Sequence, residues 1–382
     1  MNVNGYTDVI IIGGNHHNTL GVIRALGNKV AKDKIHLILH GDKRSPITRT
    51  KYLQNNNIHY IKDCAQITAV ILNIVNVIAT KPVVICCGDM YISAIDQNFD
   101  KLNDYCTLPN ANGKAGRINY FLCKEQQSEA AASAGLKSPD HFIIDTKDIL
   151  LSPCLPCIIK PENSTKGGKS DIEICRTLDE ISQYIQCHDG TNRVIVEKFI
   201  DKQYEFQLIG CSLKNDIIIP GYTHIIRQPK TTNTGYLQYN PIHDGFISAA
   251  LLNKVKTFIR HIGYQGLFSV EFLRDKQGID YFLEINMRND GNAFCVTCAG
   301  VNLPYIWYKY ADKKEYVITE PIQFEKPVLW MPEADARNIK SVGLLRWLNQ
   351  WKNADGHGIA NLIDPFPIIY YVLSKFKARI FK

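Results

Sequence analysis

Two short apolar segments in the second half of the chain carry two carboxylates, an amide and an arginine between them. The segments read Gly266-Leu-Phe-Ser-Val-Glu271-Phe-Leu-Arg274 and Ile279-Asp-Tyr-Phe-Leu-Glu284-Ile-Asn286-Met-Arg288. The short loop between them contains a glycine, which predicts a β-hairpin. If Arg274 pairs with Ile279, Glu271 lies opposite Phe282, and Glu271, Glu284, Asn286 and Arg288 share one face. Hard oxygen ligands on one face suit Mg²⁺, with Mn²⁺ as an alternative ion, so we predict the metal ligands Glu271, Glu284 and Asn286.

A lysine ends the apolar segment Cys157-Ile-Ile-Lys160-Pro161. If the segment is a buried strand, this lysine requires an anion beside it. Residues 162–170 are rich in Ser, Thr, Gly and Lys, and the backbone N–H groups of such a loop can enclose phosphates, with Lys166 and Lys169 adding charge. The spacing is not that of the usual P-loop. The segment therefore predicts a phosphate-binding loop, and a solvated loop is the alternative.

The chain contains 12 cysteines, and two pairs have metal-type spacing, Cys154-Leu-Pro-Cys157 and Cys295-Val-Thr-Cys298. A zinc site built from both pairs is one interpretation. Both pairs lie in apolar surroundings, which favours the other interpretation, that they are packing residues. Residues 1–6 carry no secretory signal, so we expect reduced cysteines and a cytoplasmic protein.

Apolar segments that end in glycine or histidine alternate with helical patterns in the first third of the chain. Strands are predicted at 8–14, 35–40 and 81–88, and a helix at 19–27 with Asn18 as its N-cap. This alternation indicates a doubly wound α/β domain. The Gly13-Gly14 turn lacks the spacing of a dinucleotide fingerprint, which argues against NAD. His16 and His17 follow the first strand, where ligands of open α/β sheets bind, and a substrate contact there competes with a solvated turn.

The hydrophobic period and the capping signals of the sequence predict the remaining helices and strands. Helices are predicted at 117–134, 177–187 and 248–262, and strands at 193–200, 204–211 and 216–227, the last of them interrupted at Pro220-Gly221. The 382 residues are 45% hydrophobic and 21% charged, which excludes a disordered or coiled-coil chain. The net charge of +7 is spread along the chain, so we expect no nucleic-acid partner. No apolar segment is long enough to span a membrane.

These residues together resemble the ATP-grasp enzymes, the carboxylate–amine ligases. The resemblance covers about residues 8–310 and is carried by the Lys124 helix, Ile-Ile-Lys160-Pro with its glycine loop, Val-Glu197-Lys-Phe-Ile200, Ser-Val-Glu271-Phe and Phe-Leu-Glu284-Ile-Asn286-Met-Arg288. The ending Cys-Ala-Gly300-Val-Asn-Leu-Pro304 is most similar to the branch of D-aspartate ligase and the carbamoyl-phosphate synthase large subunit. Each element is short, but their order and spacing together are specific.

The resemblance implies a role for each matching residue. Lys124 and Lys160 would bind ATP phosphates, and residues 163–169, including Lys166, Gly167 and Gly168, would form a mobile lid. Adenine would meet the hinge strand of Glu197, Lys198, Phe199 and Ile200. Glu205 would bind the ribose, with Tyr204 as the alternative because the spacing departs from that of many members. Glu271, Glu284 and Asn286 would hold Mg²⁺, Arg288 would hold the transferred phosphate, and the residues nearest the chemistry would be Arg288, Lys160 and Glu271.

The fold class expected from the resemblance is α/β and α+β, an ATP-grasp fold with an N-terminal Rossmann-like domain. Its predicted divisions are an N-terminal domain at 1–115, a lid subdomain at 116–200, a C-terminal ATP-grasp subdomain at 201–320 and an extension at 321–382. The extension ends in Lys375, Lys377, Arg379 and Lys382 without an acidic residue. This tail either packs on the domain, which we favour, or makes weak peripheral contact with an anionic membrane.

The activity implied is an ATP- and Mg²⁺-dependent ligation of a carboxylic acid to an amine through an acyl-phosphate. Its partners would be small-molecule carboxylate and amine substrates, and the family allows a homodimer. One alternative is an enzyme that forms carboxyphosphate, as carbamoyl-phosphate synthase does. Another is a module that binds ATP without chemistry, against which the intact set of Glu271, Glu284, Asn286 and Arg288 argues. Arg227 or Lys230 is a candidate contact for the substrate carboxylate.

Overall fold

The structure is a computed structural model of the chain, and it describes residues 7–145, 155–161, 172–187, 193–227, 235–313 and 324–380. Three sheets organise these residues: a parallel sheet near the N-terminus, a four-stranded sheet in the middle and a seven-stranded sheet after it. This arrangement confirms the predicted α/β and α+β class. The domain boundaries drawn from the sequence stay predictions.

The first sheet is parallel, with strand order β3-β2-β1-β4. Its strands and the helices that follow them are β1 Val9–Gly14, α1 His17–Gly27, β2 Ile35–His40, β3 Ile58–Ile61, α2 Ile67–Val75, β4 Val83–Cys86, α3 Asp89–Gln97 and α4 Phe99–Leu102. Three of the four strands were predicted. The strand Ile58–Ile61 was missed because its two central residues are His and Tyr, which break the continuous apolar pattern of a buried strand.

The first helix begins two residues earlier than predicted. It starts at His17, and the side chain of His16, not that of Asn18, accepts the capping hydrogen bond, from the backbone N–H of Asn18. The prediction of Asn18 as N-cap is therefore wrong. The Asn18 side chain is instead buried, and it donates to the backbone oxygen of Asn289 at 2.9 Å.

The second sheet contains strands from the middle of the chain in the order β6-β9-β7-β8. In chain order, the elements after the first sheet are β5 Asn110–Ala111, α5 Arg117–Phe121, α6 Lys124–Ser133, β6 His141–Asp145, β7 Cys157–Pro161, β8 Glu173–Cys175, α7 Leu178–Cys187 and β9 Arg193–Lys198. Residues 177–180 form the predicted capping box, in which Thr177 Oγ1 accepts from the N–H of Glu180 and the Glu180 carboxylate accepts from the N–H of Thr177.

The single helix predicted at 117–134 is two helices, α5 and α6. The buried side chain of Gln127 explains the break, because it donates to the backbone oxygen of Phe121 at 2.7 Å. Its amide oxygen also accepts from the backbone N–H of Ile285 at 2.8 Å, which ties the break to the third sheet. Lys124 consequently begins α6 and lies next to that sheet.

The third sheet is antiparallel, with its main strands in the order β14-β13-β10-β11-β12-β15. Its strands are β10 Lys202–Ser212, β11 Ile217–Arg227, β12 Tyr236–Pro241, β13 Tyr264–Asp275, β14 Asp280–Asn286 and β15 Val328–Trp330, and β5 pairs with β13. The helix α8 Ala249–Ile262 has Ser248 as its N-cap and packs against α6. The strand β11 runs through Pro220 without the predicted interruption, because the register shifts at Gly210 on the neighbouring strand and Pro220 loses no regular ladder bond there.

The register predicted for the β13–β14 hairpin is wrong by one residue. Arg274 pairs with Asp280 rather than Ile279, and Phe272 pairs with Phe282. A β-bulge then inserts Leu283, so Glu271 lies opposite Glu284 and not, as predicted, opposite Phe282. Because of the bulge, the consecutive side chains of Leu283 and Glu284 both line one cleft, while Phe282 is buried in the core.

The α-helices among the described C-terminal residues are α9 Phe294–Cys298, α10 Leu303–Lys313, α11 Ile339–Val342, α12 Leu344–Lys352 and α13 Phe366–Ile380. The buried Asp364, just before α13, accepts hydrogen bonds from the Arg24 guanidinium at 3.0 Å and from Thr50 Oγ1 at 2.8 Å. Residues 324–364 thus connect the third sheet, through β15, to the first helix of the chain. Within the described residues, no helix combines the length and the apolar character needed to cross a membrane.

Candidate functional site

A cavity of about 200 Å³ lies between the second sheet and the third sheet. Its apolar lining comes from both sheets and consists of Ile158, Ile172, Ile225, Leu273 and Leu283. Its polar lining consists of Lys124, Lys160, Glu197, Glu205, Gln207, Glu271 and Glu284. The cavity therefore combines a wall that fits a flat apolar ring with a charged end.

Lys160 and Glu197 form a buried ion pair on neighbouring strands of the second sheet. Lys160 Nζ lies 2.5 Å from Glu197 Oε1, and the two side chains are only 8% and 10% exposed. Burial lowers the pKa of Lys160, although the nearby Glu197 carboxylate opposes this effect. Glu197 is thus the anion that the sequence requires beside this lysine, and it holds the ammonium at the cavity wall.

Lys124 approaches the same cavity from α6, and its ammonium lies 3.3 Å from Glu284 Oε2. The Lys124 ammonium lowers the pKa of Glu284 below its usual value. Burial acts to lower the pKa of Lys124, but the carboxylates of Glu284 and Glu197 outweigh it and raise that pKa. Both members of the pair are consequently charged at neutral pH.

Glu271 lies opposite Glu284 on the adjacent strand. Its Oε1 accepts hydrogen bonds from Gln207 Nε2 at 2.9 Å and from Asn286 Nδ2 at 3.0 Å. Burial, followed by repulsion from Glu284 and Asp290, raises the pKa of Glu271 well above its usual value. Ionising both facing carboxylates is therefore unfavourable, and a divalent cation between them would relieve the repulsion.

The predicted ligands Glu271 and Glu284 fit Mg²⁺, since both offer hard oxygen atoms at one end of the cavity. Asn286, the third predicted ligand, lies beside Glu271, and its Oδ1 accepts a hydrogen bond from Arg288. Among the described residues, no cluster of three or more His, Cys, Asp and Glu side chains is arranged to hold a metal. Two carboxylates without a third are compatible with Mg²⁺, which takes few protein ligands when phosphates and water supply the others. Cys154 lies outside the described residues, and Cys295 and Cys298 are on α9.

Arg288 lies just beyond the metal-ligand set and is held from three sides. Its Nε lies 3.1 Å from Asp89 Oδ1 at the start of α3, and its Nη1 lies 3.1 Å from Asp290 Oδ2. Its Nη2 donates to Asn286 Oδ1 at 3.0 Å. These carboxylates raise the pKa of Arg288 further, against the effect of burial. The guanidinium is therefore fixed between the first sheet and the hairpin.

His16 and His17 lie at the same meeting point of the first and third sheets. Their rings are 3.9 Å apart between centroids, and His17 Nε2 lies 3.1 Å from the backbone oxygen of Gly291. Burial lowers the pKa of both imidazoles, and the Arg288 guanidinium also lowers that of His16. The structure thus brings His16 near Arg288, while His17 is held by its carbonyl partner.

Of the predicted hinge and ribose residues, Glu197 and Glu205 line the cavity. The backbone N–H of Lys198 donates to Asp140 O at 2.9 Å, and that of Phe199 donates to Pro156 O at 3.1 Å. Ile200 follows them and is buried. Glu205 lines the cavity and pairs with Lys202, whereas Tyr204 packs against the rings of His224 and Phe246. Of the two ribose candidates, Glu205 is therefore the one positioned at the cavity.

Several predicted residues lie elsewhere or outside the described residues. Lys166, Gly167, Gly168 and Lys230 belong to segments that the structure does not describe. Arg227 pairs with the buried Asp335 at 2.6 Å and donates to Gln350, which makes it an anchor for the C-terminal residues rather than a free cation.

Sequence analysis missed several residues that support the site. These are Asp89, Gln207, Asp290 and Asn292. Asp89 follows Gly88, two residues after the end of β4. A position just beyond the carboxyl end of a parallel strand is the signal that could have identified it.

Parts of the chain are similar in sequence to a known family and to curated enzymes. A family model described as ATP-grasp in the biosynthetic pathway with Ter operon matches residues 234–333. A formate-dependent phosphoribosylglycinamide formyltransferase from Hydrogenovibrio crunogenus is 28% identical over 167 residues, 42% of each chain. An N5-carboxyaminoimidazole ribonucleotide synthase from Aquifex aeolicus is 28% identical over 152 residues, 38% of this chain and 39% of that protein. The chain matches less than half the length of these curated relatives.

Solved structures share the fold over most of the chain. The L-amino acid ligase from Bacillus licheniformis superposes with a TM-score of 0.62 at 14% identity, covering 81% of this chain and 75% of that one. An N5-carboxyaminoimidazole ribonucleotide synthetase in complex with ADP gives a TM-score of 0.66 at 15% identity, covering 88% and 86%. The biotin carboxylase domain dimer of the Hydrogenobacter thermophilus 2-oxoglutarate carboxylase gives 0.63 at 16% identity, covering 85% and 74%. These likenesses confirm the predicted fold.

Proposed function

We propose, from the premise that the chain contains an ATP-grasp domain, that it is an ATP- and Mg²⁺-dependent ligase joining a carboxylic acid to an amine. The observation that carries the proposal is one cavity in which the cations Lys124 and Lys160 face the carboxylates Glu271 and Glu284. An amino acid or peptide is the proposed acid, since one structural neighbour is an L-amino acid ligase.

The proposed reaction proceeds through an acyl-phosphate. A carboxylate cannot expel oxide, so transfer of the γ-phosphoryl group of ATP to the acid creates a leaving group that an amine displaces. The phosphoryl group carries several negative charges, and catalysis consists mainly of positioning and charge neutralisation. Lys124 and Lys160, which line the cavity, are proposed to bind ATP phosphates, and Arg288 is proposed to bind the acyl-phosphate.

Glu271, Glu284 and Asn286 would hold Mg²⁺, which supplies a positive charge for the transferred phosphoryl oxygens. The apolar wall with Ile158 and Leu283 would pack on adenine, and Glu205 would accept hydrogen bonds from the ribose. Residues 163–169, with Lys166, Gly167 and Gly168, are proposed to close over the phosphates and exclude water that would hydrolyse the intermediate.

A second candidate function is ATP-dependent formation of carboxyphosphate from bicarbonate. It is supported by the 28% identity to an N5-carboxyaminoimidazole ribonucleotide synthase and by the fold shared with a biotin carboxylase domain bound to MgADP and bicarbonate. The two candidates share the nucleotide cavity and differ in the acid that receives the phosphoryl group.

We also propose the cytoplasm as the compartment and a small-molecule carboxylate and amine as partners, without nucleic acid. The dimer of one structural neighbour supports a homodimer.

The test is Mg²⁺-dependent ADP release from the purified chain, measured over a panel of amino acids and amines. We expect release only when an acid and an amine are both present, and its loss in Glu284→Gln. Glu173→Gln is the matched control, because Glu173 is exposed on β8 of the second sheet. ADP release with bicarbonate alone would favour the second candidate, and ATP binding without turnover over the whole panel would contradict both enzymatic functions.

A further inference from the structure

The helix α13 and the turn before it expose a row of large apolar side chains. Leu362 is 100% exposed, Ile363 64%, Phe366 60% and Ile369 49%, and Val372 and Leu373 are exposed as well. We call these six residues the C-terminal apolar face. A contiguous exposed patch of this kind on a folded chain usually marks an interaction site.

The opposite side of α13 is held firmly, so the exposure is not the result of a helix without a docking site. Pro367 is buried, and the Arg49 guanidinium lies over the Tyr370 ring, 4.7 Å from its centroid. Asp364 is fixed by Arg24 and Thr50 immediately before the helix. The helix therefore packs on the turn at Pro46–Arg49 and presents the apolar face outward.

Positively charged side chains lie beside the apolar face. Lys43, Arg44, Arg49 and Lys51 are exposed on the segment against which α13 packs. The sequence of residues 365–382 contains four more basic residues and no acidic one, namely Lys375, Lys377, Arg379 and Lys382, whose side chains lie outside the described part of the chain. The acid on the same loop, Asp42, pairs with Arg44. The surface thus combines apolar side chains with an excess of cations.

We propose that the C-terminal apolar face lies against an anionic membrane surface. Helices that rest in the membrane interface combine one apolar face with flanking Lys and Arg, and the basic residues are attracted to anionic headgroups. The charge argues against a second copy of the chain as occupant, because a two-fold interface would bring two cationic surfaces together. The apolar area is small, so we expect reversible binding. This inference does not depend on the ligase reaction.

The test is co-sedimentation of the full chain with vesicles of phosphatidylcholine alone or of phosphatidylcholine mixed with phosphatidylglycerol. We expect binding to the mixed vesicles only, and weakening as salt increases. The exchange Leu362→Gln should lower the affinity roughly tenfold, because one inserted apolar side chain is lost. Lys43→Gln with Lys51→Gln should lower it about fivefold per charge.

Val77→Gln is the matched control, since Val77 is also a highly exposed apolar residue, 82% exposed, but follows α2. The proposal is overturned if Leu362→Gln and Val77→Gln bind vesicles equally well, or if the chain binds neither vesicle. Sedimentation velocity without vesicles tests the alternative occupant, a second copy of the chain, by measuring self-association. Self-association that Leu362→Gln/Phe366→Gln abolishes would assign the face to a second copy instead.

Discussion

Lys160 is a buried cation whose partner, Glu197, lies on the neighbouring strand. Replacing Lys160 with Met keeps the shape of the side chain but leaves Glu197 buried and unpaired, which should cost about 3–5 kcal/mol of folding free energy. ATP affinity should fall at least tenfold, as expected for the loss of one hydrogen bond to a charged group. Calorimetric ATP titration and urea unfolding measure the two effects separately.

The double variant Lys160→Met/Glu197→Gln separates stability from binding. It should regain part of the lost stability, because no unpaired carboxylate stays buried, but it should not regain ATP affinity. Lys62→Met is the control, since Lys62 is exposed and follows β3 of the first sheet. Normal ATP affinity in Lys160→Met would contradict a phosphate-binding role.

His17 should make the fold sensitive to mild acid. Burial lowers its pKa well below 6.5, whereas the unfolded chain has an ordinary imidazole. As the pH falls below about 6.5, the unfolded state binds a proton that folded His17 still excludes, so the free energy of unfolding decreases. The slope contributed by one such group approaches about 1.4 kcal/mol per pH unit until the folded pKa is reached.

The measurement is urea unfolding between about pH 8 and about pH 5, compared with His17→Gln, whose side chain does not titrate. We expect a flatter pH dependence in the variant. It should not be flat, because burial also lowers the pKa of His16, His59, His224 and His357. The exposed His261 provides the control His261→Gln, and identical slopes in the wild-type chain and His17→Gln would refute the prediction.

At the level of secondary structure, the hydrophobic period of the sequence predicted the strands themselves better than the register in which they pair. The alternation in β13 and β14 predicted the hairpin, but not its register. Asp275 closes the turn by accepting hydrogen bonds from the N–H groups of Gln277 and Ile279, so the loop begins one residue later than assumed. This shift alone would separate Glu271 from Glu284. The bulge at Leu283 compensates for it, and neither feature has a signature in hydrophobic alternation.

The attachment of α13 depends on Asp364, which accepts hydrogen bonds from Arg24, Thr50 and the backbone N–H of Lys51. Asp364→Asn leaves the buried guanidinium of Arg24 without a counterion and should destabilise the fold by about 3–5 kcal/mol. The urea midpoint measures this loss. In contrast, Asp42→Asn removes an exposed pair with Arg44 and should leave the midpoint unchanged. Equal midpoints for both variants would show that α13 is attached by other contacts.

Across the whole chain, the candidate site depends on contacts that no local pattern reveals. Asp89 reaches Arg288 across 199 positions of sequence, and Asn18 reaches Asn289 across 271. Residues such as Lys160 and Glu271 could be predicted because their type conflicts with an apolar strand. Asp89 and Asn18 are ordinary residues at a helix start, and only the packing of the first sheet against the third gives them a role.

That packing leads to a prediction about Asp89. If Arg288 holds the acyl-phosphate, Asp89 acts as a positioning residue from the start of α3. Asp89→Asn keeps one hydrogen-bond acceptor but removes the charge that fixes the guanidinium, so kcat should fall about tenfold to a hundredfold. KM for ATP should change little, because Lys124 and Lys160 are unaffected. Steady-state ADP release gives both constants, with Asp100→Asn on α4 as an exposed control. A change in KM for ATP at constant kcat would instead connect Asp89 to nucleotide binding.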